Sequence, residues 1–258
     1  MAIPAKASSN YVIQFGIMLE GDTPIDEFTF HYVVKNYSSS QDGNDVSAVG
    51  FAYALHGQDD LAYEHFHKNL KTGNSTIAKN FAAFLFKRHL YRQLHEIVYQ
   101  LADSFGGKML TILAAAESYR IGDLDRIKKY MELHRNLLSD DDDKVGAENY
   151  MRELLDGVQS CYEAGVCTPE QFKMLGDLTH TILEERKLIP GSLAIYSAMG
   201  GDYLVQVEKA TPEDIVQMNF ELAERVCGEP LLDTCEMTAR FTVVRESHTK
   251  ETYDYSGF

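Results

Sequence analysis

The stretch that decides the fold runs from Asp45 to Asn74 and has the sequence DVSAVGFAYALHGQDDLAYEHFHKNLKTGN. Two segments flank its centre, and each repeats apolar or small side chains at the i, i+3, i+4 and i+7 intervals of an amphipathic helix. Small residues occur where two antiparallel helices must approach closely, and Gly57 falls between the two segments. The stretch therefore predicts a helical hairpin with its turn at Gly57.

The order of small, aromatic and glycine residues in this hairpin resembles the tetratricopeptide repeat. The residues that carry the resemblance are Gly50, Tyr53, Gly57, Ala62 and Phe66. The chain departs from the family pattern at Asn69, where the family prefers alanine, and at Asn74, where it prefers proline. The resemblance implies a scaffold of stacked hairpins, because a lone hairpin cannot bury its apolar face and about three must stack.

Turn residues recur along the first half of the chain at a similar interval. They are Gly21, Gly57, His89 and Gly122, which are 36, 32 and 33 residues apart. The period of the family is about 34 residues. The resemblance therefore extends over residues 10–138, and we expect a tetratricopeptide-like helical repeat domain there, built from antiparallel hairpins.

The first hairpin of this series is predicted from its capping signals. Residues 11–19 are strongly apolar and are assigned to a helix, with Gly21 as the turn that follows. Thr23 is the expected N-cap of the second helix and Pro24 its first residue, because proline fits the first helical position. This second helix is expected to extend to about Tyr37, with Phe28 and Tyr32 in register.

An acidic run, SDDDDK at residues 139–144, marks the boundary of a second part, residues 145–246. Like charges in a row repel one another and favour a solvated loop. Helices are expected at 147–164 and after a capping box at Thr168 and Gln171. The run could hold a cation, but it lacks the alternating, glycine-turned pattern of a calcium loop.

Beyond Pro190 the sequence indicates strands as well as helices. Residues 203–207 and 235–246 have strand composition, and Thr211 caps a helix between them. A single strand is not stable alone, so two or three should pair. A small α+β arrangement is favoured, and a further helical hairpin with its turn at residues 201–203 is the alternative. The predicted fold is mainly α, with stacked antiparallel hairpins and a small α+β C-terminal part.

Composition narrows the classes of function. The net charge of −15 disfavours binding to nucleic acid or to an anionic membrane surface. The charge is uneven, because residues 139–258 carry 24 acidic and 10 basic side chains. No stretch reaches the roughly 18 apolar residues of a membrane span. The four cysteines lack the spacing of a zinc site or redox pair, so we expect reduced thiols and a cytoplasmic protein.

Sequence motifs for catalysis or cofactor binding are absent. The chain has no Gly-rich nucleotide loop and no GxSxG element. His65 and His67 are two residues apart, so on a helix they point in nearly opposite directions and cannot share a metal ion. We therefore predict a protein that is not an enzyme and that binds no metal or organic cofactor.

Binding to a protein or peptide is the function that the resemblance implies. In tetratricopeptide folds the first helix of each hairpin lines a concave groove. By position, the partner-binding residues are expected to be Phe51, Lys79, Phe86, Lys87, Tyr119 and Arg120. Aromatic and cationic side chains together suit an acidic peptide, although ordinary helix packing also accounts for such residues.

Two functions follow from these expectations. The first is an adaptor, chaperone or regulator that binds a protein or peptide partner in a helical-repeat groove. The alternative is a toxin-neutralising or immunity-type protein, whose acidic C-terminal half masks a basic partner. A homo-oligomer is compatible with either function.

Overall fold

A computed structural model describes residues 7–139 and 142–244 of the chain. Its helices make up 71% of the structure, and a three-stranded sheet lies near the C-terminus. The prediction of a mainly helical protein with a small C-terminal sheet is therefore confirmed. The chain divides after Leu110 into two compact units, and the division falls within a helix, Lys108–Arg120.

The first unit is entirely helical over its described residues, 7–110. Its helices are α1 (Ala7–Glu20), α2 (Glu27–Tyr37), α3 (Gly43–Leu55), α4 (Asp59–Asn69), α5 (Ser75–Lys87) and α6 (Tyr91–Phe105), and a short 3-10 helix follows α4. Helix α3 is central and packs against α1, α2, α4 and α5. Helix α3 carries small and apolar side chains on nearly all of its faces. A helix without a polar face must be buried.

The hairpin predicted from residues 45–74 is present as α3 and α4. Gly57 has φ +76°, a left-handed conformation that glycine adopts without strain. Gly50 of α3 lies directly against the Phe66 ring of α4, and a Cβ at this position would stand 2.3 Å from the ring. Ala62 and Phe66 are fully buried. The small residues of the motif therefore serve close helix packing.

Helix α2 begins later than predicted and presents a different face. Its N-cap is Asp26, whose carboxylate accepts a hydrogen bond from the Thr29 backbone N–H at 2.9 Å. The prediction that Thr23 caps the helix and Pro24 begins it is wrong, because Asp26 caps a helix that begins three residues later, at Glu27. The buried face consists of Phe30 and Val33.

The second unit combines five helices with the sheet. The elements are α7 (Lys108–Arg120), α8 (Leu124–Leu137), α9 (Lys144–Glu163), α10 (Pro169–Arg186), β1 (Pro190–Tyr196), β2 (Asp202–Val207), α11 (Pro212–Cys227) and β3 (Thr238–Val243). Capping boxes at Thr168 with Gln171 and at Thr211 with Asp214 begin α10 and α11, as predicted for Thr168. Asp140 and Asp141 of the acidic run and the segment 247–258 lie outside the described residues.

The sheet has the order β1-β2-β3, antiparallel between β1 and β2 and parallel between β2 and β3. Gly201 directly precedes β2, so the alternative of a helical hairpin turning at residues 201–203 is wrong. Tyr203 of β2 is fully buried, and its hydroxyl donates to the Arg120 carbonyl oxygen at 2.9 Å. Asn219 of α11 bonds both the N–H and the C=O of Phe241, which satisfies backbone groups of β3.

Candidate protein-binding surface

The predicted groove residues of the first unit differ in their exposure. Phe51 is 2% exposed and packs edge-on against Phe66, with ring centroids 5.7 Å apart. Phe86 is half-buried, and Lys79 is exposed. The Lys87 ammonium donates to the Gly16 carbonyl at 3.2 Å and to the Glu20 carboxylate at 2.6 Å. Only Lys79 of these four therefore has the exposure expected of a charged ligand contact.

The two predicted residues that belong to the second unit, Tyr119 and Arg120, are buried. The Arg120 guanidinium donates to Glu117 and to Asp177, each at 3.0 Å. Burial alone would lower the pKa of Arg120, but the Glu117 carboxylate and its other neighbours outweigh burial and raise it. Burial also raises the pKa of Tyr119. These side chains stabilise the interior of their unit, so we do not include them in a candidate surface.

A surface that the sequence analysis did not identify lies on α1 and α2 of the first unit. We call it the aromatic cluster, and it consists of Tyr11, Phe28, Tyr32 and Tyr37. Phe28 stacks on Tyr32, with ring centroids 6.4 Å apart, and Tyr32 lies 6.5 Å from Tyr11. Tyr37 meets Tyr11 edge-on at 6.3 Å. The four rings form a continuous series across two helices.

The aromatic cluster is accessible at one end and anchored at the other. Phe28 is 79% exposed and Tyr32 is 44% exposed, whereas Tyr11 and Tyr37 are half-buried. Burial raises the pKa of Tyr37, and the neighbouring hydroxyls of Tyr32 and Tyr11 raise it further. Like an ordinary tyrosine, Tyr37 is protonated at neutral pH, so its hydroxyl can donate a hydrogen bond. Large aromatic rings with a polar tip are typical of protein-binding surfaces.

The helical register of α2 explains why the cluster faces outward. Phe28 and Tyr32 are four residues apart and share one face, whereas Phe30 and Val33 share the face that packs inward. The sequence places aromatic residues on both faces, so apolar spacing alone could not decide which face is buried. Packing against α3 decides which face is buried, and there the Phe30 ring lies 5.9 Å from the ring of Tyr53.

The residues around the cluster are mainly acidic. Residues 20–37 contain four acidic side chains and one lysine. Glu20 pairs with Lys87 and Asp22 with Arg88, whereas Asp26 and Glu27 pair with no lysine or arginine that the structure describes. The Glu27 carboxylate lies between two histidine rings, 3.4 Å from His31 Nε2 and 3.1 Å from His56 Nε2. The His56 ring in turn stacks on Phe30 at 4.0 Å. Hydrogen bonds from Thr29 hold the pKa of Asp26 below its ordinary value. Asp26 and Glu27 are therefore the carboxylates next to Phe28 that no described lysine or arginine neutralises.

Three of the four thiols of the second unit, those of Cys161, Cys167 and Cys235, are poorly placed to act as nucleophiles. Cys161 and Cys167 are buried, and Cys235 is half-buried. Burial raises the pKa of all three thiols, that of Cys167 to about 12, so they are protonated at neutral pH. The thiolate is the reactive form of cysteine. Within residues 7–139 and 142–244, no group of three or more His, Cys, Asp or Glu side chains is placed to hold a metal ion.

Comparison with protein-family models, with curated proteins and with solved structures gives no match for this chain. Among the helices that the structure describes, none has the length and apolar character needed to cross a membrane.

Proposed function

We propose that this protein is a protein–protein interaction scaffold and that it binds its partner through the aromatic cluster of α1 and α2. The single observation that carries the proposal is the exposure of Phe28 and Tyr32 in a stacked pair. Burying an aromatic ring in an interface removes a large apolar area from water, and such residues contribute much of the binding free energy.

The proposed partner is a protein or peptide segment with apolar and basic side chains. The acidic residues around the cluster attract cations, and arginine can also stack on the faces of exposed rings. The acidic peptide expected from the sequence has less support, because Lys87 is paired with Glu20 and Arg120 is buried between Glu117 and Asp177. We therefore propose a ligand of the opposite charge.

The scaffold in this proposal is a tetratricopeptide-like solenoid that acts as an adaptor in the cytoplasm. Its support is the packing of α3 between α1 and α5, together with the hairpin formed by α3 and α4. In such an array each hairpin contacts its neighbours, and an outer face remains available for a partner. The resemblance of residues 45–74 to the repeat family supports the same interpretation.

The immunity-type function is a second proposal, and the uneven charge of the chain favours it. Residues 139–258 hold 24 of the acidic side chains against 10 basic ones. A surface of that sign would speed association with a basic partner and would lose affinity as salt concentration rises.

Affinity capture with quantitative mass spectrometry tests the main proposal. The bait is the full chain, compared with a Phe28→Ala/Tyr32→Ala double variant and with an Ile13→Ala control. Ile13 is 65% exposed, and it lies on the side of α1 away from Tyr11 because the two residues are two positions apart. We expect a prey that the wild-type and Ile13→Ala chains capture and that the double variant loses. Prey recovery that is equal for all three baits contradicts the proposal.

A further inference from the structure

The outward side of α11, in the second unit, carries an apolar seam. Its members are Val216, Phe220, Ala223 and Cys227, and all four are exposed. Phe220 is 70% exposed and Val216 is 54% exposed. The intervals of four, three and four residues are those of a coiled-coil seam. At about 100° per residue the four side chains fall within about 60° of one another, so they form one stripe.

The orientation of α11 is fixed by contacts on its other side. Met218 and Leu222 are buried, and α11 packs against α10 and β3. Asn219 holds the backbone of Phe241, and Glu221 accepts two hydrogen bonds from Arg186 of α10, at 3.0 and 3.1 Å. These contacts keep the seam turned away from the core of the unit, and residues 7–139 and 142–244 leave it exposed.

The charges beside the seam identify the chemistry of that molecule. Helix α11 carries four acidic side chains and one arginine, Arg225, which pairs with Glu185 and Glu221. Glu213 and Glu224 lie beside the seam, and neither forms an ion pair within the part of the chain that the structure describes. A second copy of α11 would bring like charges together, which is unfavourable. A helix with basic flanks would instead neutralise them.

We propose that this face of α11 is a docking site for a basic amphipathic helix of a partner protein, with Phe220 as its anchor. An amphipathic helix lays its apolar stripe against the apolar stripe of its partner, and charges on its flanks set orientation. The site belongs to the second unit and is independent of the aromatic cluster, so a variant of either surface leaves the other intact.

The seam contains its own reporter, because the Cys227 thiol is exposed and the other three thiols are buried or half-buried. A helix docked on α11 covers this thiol and slows its alkylation. The probe is a synthetic helix of about three heptads with leucine at a and d, lysine at e and g, and alanine elsewhere. The matched control peptide has glutamate in place of each lysine.

The experiment measures the affinity of each peptide for the full chain and the rate of Cys227 alkylation by N-ethylmaleimide. We expect the lysine peptide to bind, to protect Cys227, and to bind more weakly as salt is added. Phe220→Asp is expected to weaken binding about tenfold or more, as for loss of an interface anchor. Val145→Asp is the control, because Val145 of α9 is equally exposed at 70%. The Phe28→Ala/Tyr32→Ala variant should bind as the wild type does.

Four results would overturn the proposal. One is equal binding of the lysine and glutamate peptides, and another is equal binding by Phe220→Asp and Val145→Asp. The third is Cys227 protection that rises with protein concentration in the absence of peptide, which would show that a second copy covers the seam. The fourth is faster Cys227 alkylation in a chain that ends at Val244, which would show that the C-terminal segment covers it.

Discussion

At the scale of single residues, the sequence predicts the roles of two glycines but not the burial of a charged side chain. Gly50 and Gly57 stand out in the sequence of the predicted hairpin, and the structure places Gly50 at a close helix contact and Gly57 in the turn. Arg120 was assigned to a binding surface from helical position alone. Its guanidinium donates to Asp177, 57 residues further along the chain, and no local pattern reports such a contact.

Gly50 provides the first stability prediction. Gly50→Ala places a methyl group 2.3 Å from the Phe66 ring, so the hairpin must open or the ring must move. We expect the free energy of unfolding to fall by about 1–3 kcal/mol, as for other overpacked cores. Urea denaturation measures the change. Gly16→Ala is the control, because the nearest atom is the Lys87 ammonium at 3.8 Å. An unchanged stability for Gly50→Ala would contradict the packing described.

Arg120 provides the second stability prediction. Arg120→Met leaves the Glu117 carboxylate, itself 8% exposed, without the guanidinium that now lies 3.0 Å away. Removing one partner of a buried ion pair costs about 3–5 kcal/mol, because the other charge stays desolvated. Lys173→Met is the control, since this exposed lysine also pairs with Asp177 and such pairs contribute about 0–1 kcal/mol. Equal losses in the two variants, measured by urea denaturation, would contradict a structural role for Arg120.

At the scale of secondary structure, the sequence predicts elements best where a cap and an apolar face agree. Thr168 and Thr211 each precede a proline and complete a capping box, and both helices begin where predicted. Strand β1 was not predicted, because only Ile195 of its residues is buried and no alternation of apolar and polar residues is visible. Its position depends on pairing with β2, which is a contact between segments rather than a local preference.

The α11 cap leads to a prediction of pH dependence. Hydrogen bonds from the Thr211 hydroxyl and backbone N–H hold the pKa of Asp214 below its ordinary value of 3.8. When folding lowers the pKa of a carboxylate, the carboxylate stabilises the folded state at every pH above its pKa in the unfolded state. This stabilisation is lost as the pH falls through the pKa of the folded state. Wild type should therefore exceed Asp214→Ala in stability at pH 7, and the difference should shrink below about pH 3.8.

The measurement is urea denaturation of both chains over a series of pH values. Glu213→Ala is the control, because Glu213 is next to Asp214 in the chain and its carboxylate takes no part in the capping box. A wild-type advantage that persists unchanged in acid would contradict the role given to the ionised Asp214.

At the scale of the whole molecule, two compact units carry separate candidate surfaces. The first unit presents the aromatic cluster, and the second presents the seam of α11. Neither surface was predicted from the sequence, because both consist of apolar side chains that periodicity alone assigns equally well to a core. Phe28 becomes recognisable as a surface residue only when Phe30 is seen to fill the buried position.

The distribution of charge over the whole molecule bears on which partners the two surfaces bind. Lys87 and Arg120 are each held by carboxylates of their own unit, so two of the three cations that suggested an acidic ligand are neutralised. The net charge of −15 remains, and the glutamates beside α11 are part of it. Both proposed surfaces therefore favour basic partners, and binding to either should weaken as salt concentration rises.

The central claim is that the aromatic cluster binds a protein partner directly. The most direct measurement is the dissociation constant of the purified captured prey for the wild-type chain and for the Phe28→Ala/Tyr32→Ala variant, at low and high salt. We predict about tenfold or weaker binding by the variant and weaker wild-type binding at high salt, consistent with loss of two anchor rings in an acidic surround. Equal dissociation constants for the two chains would contradict the claim.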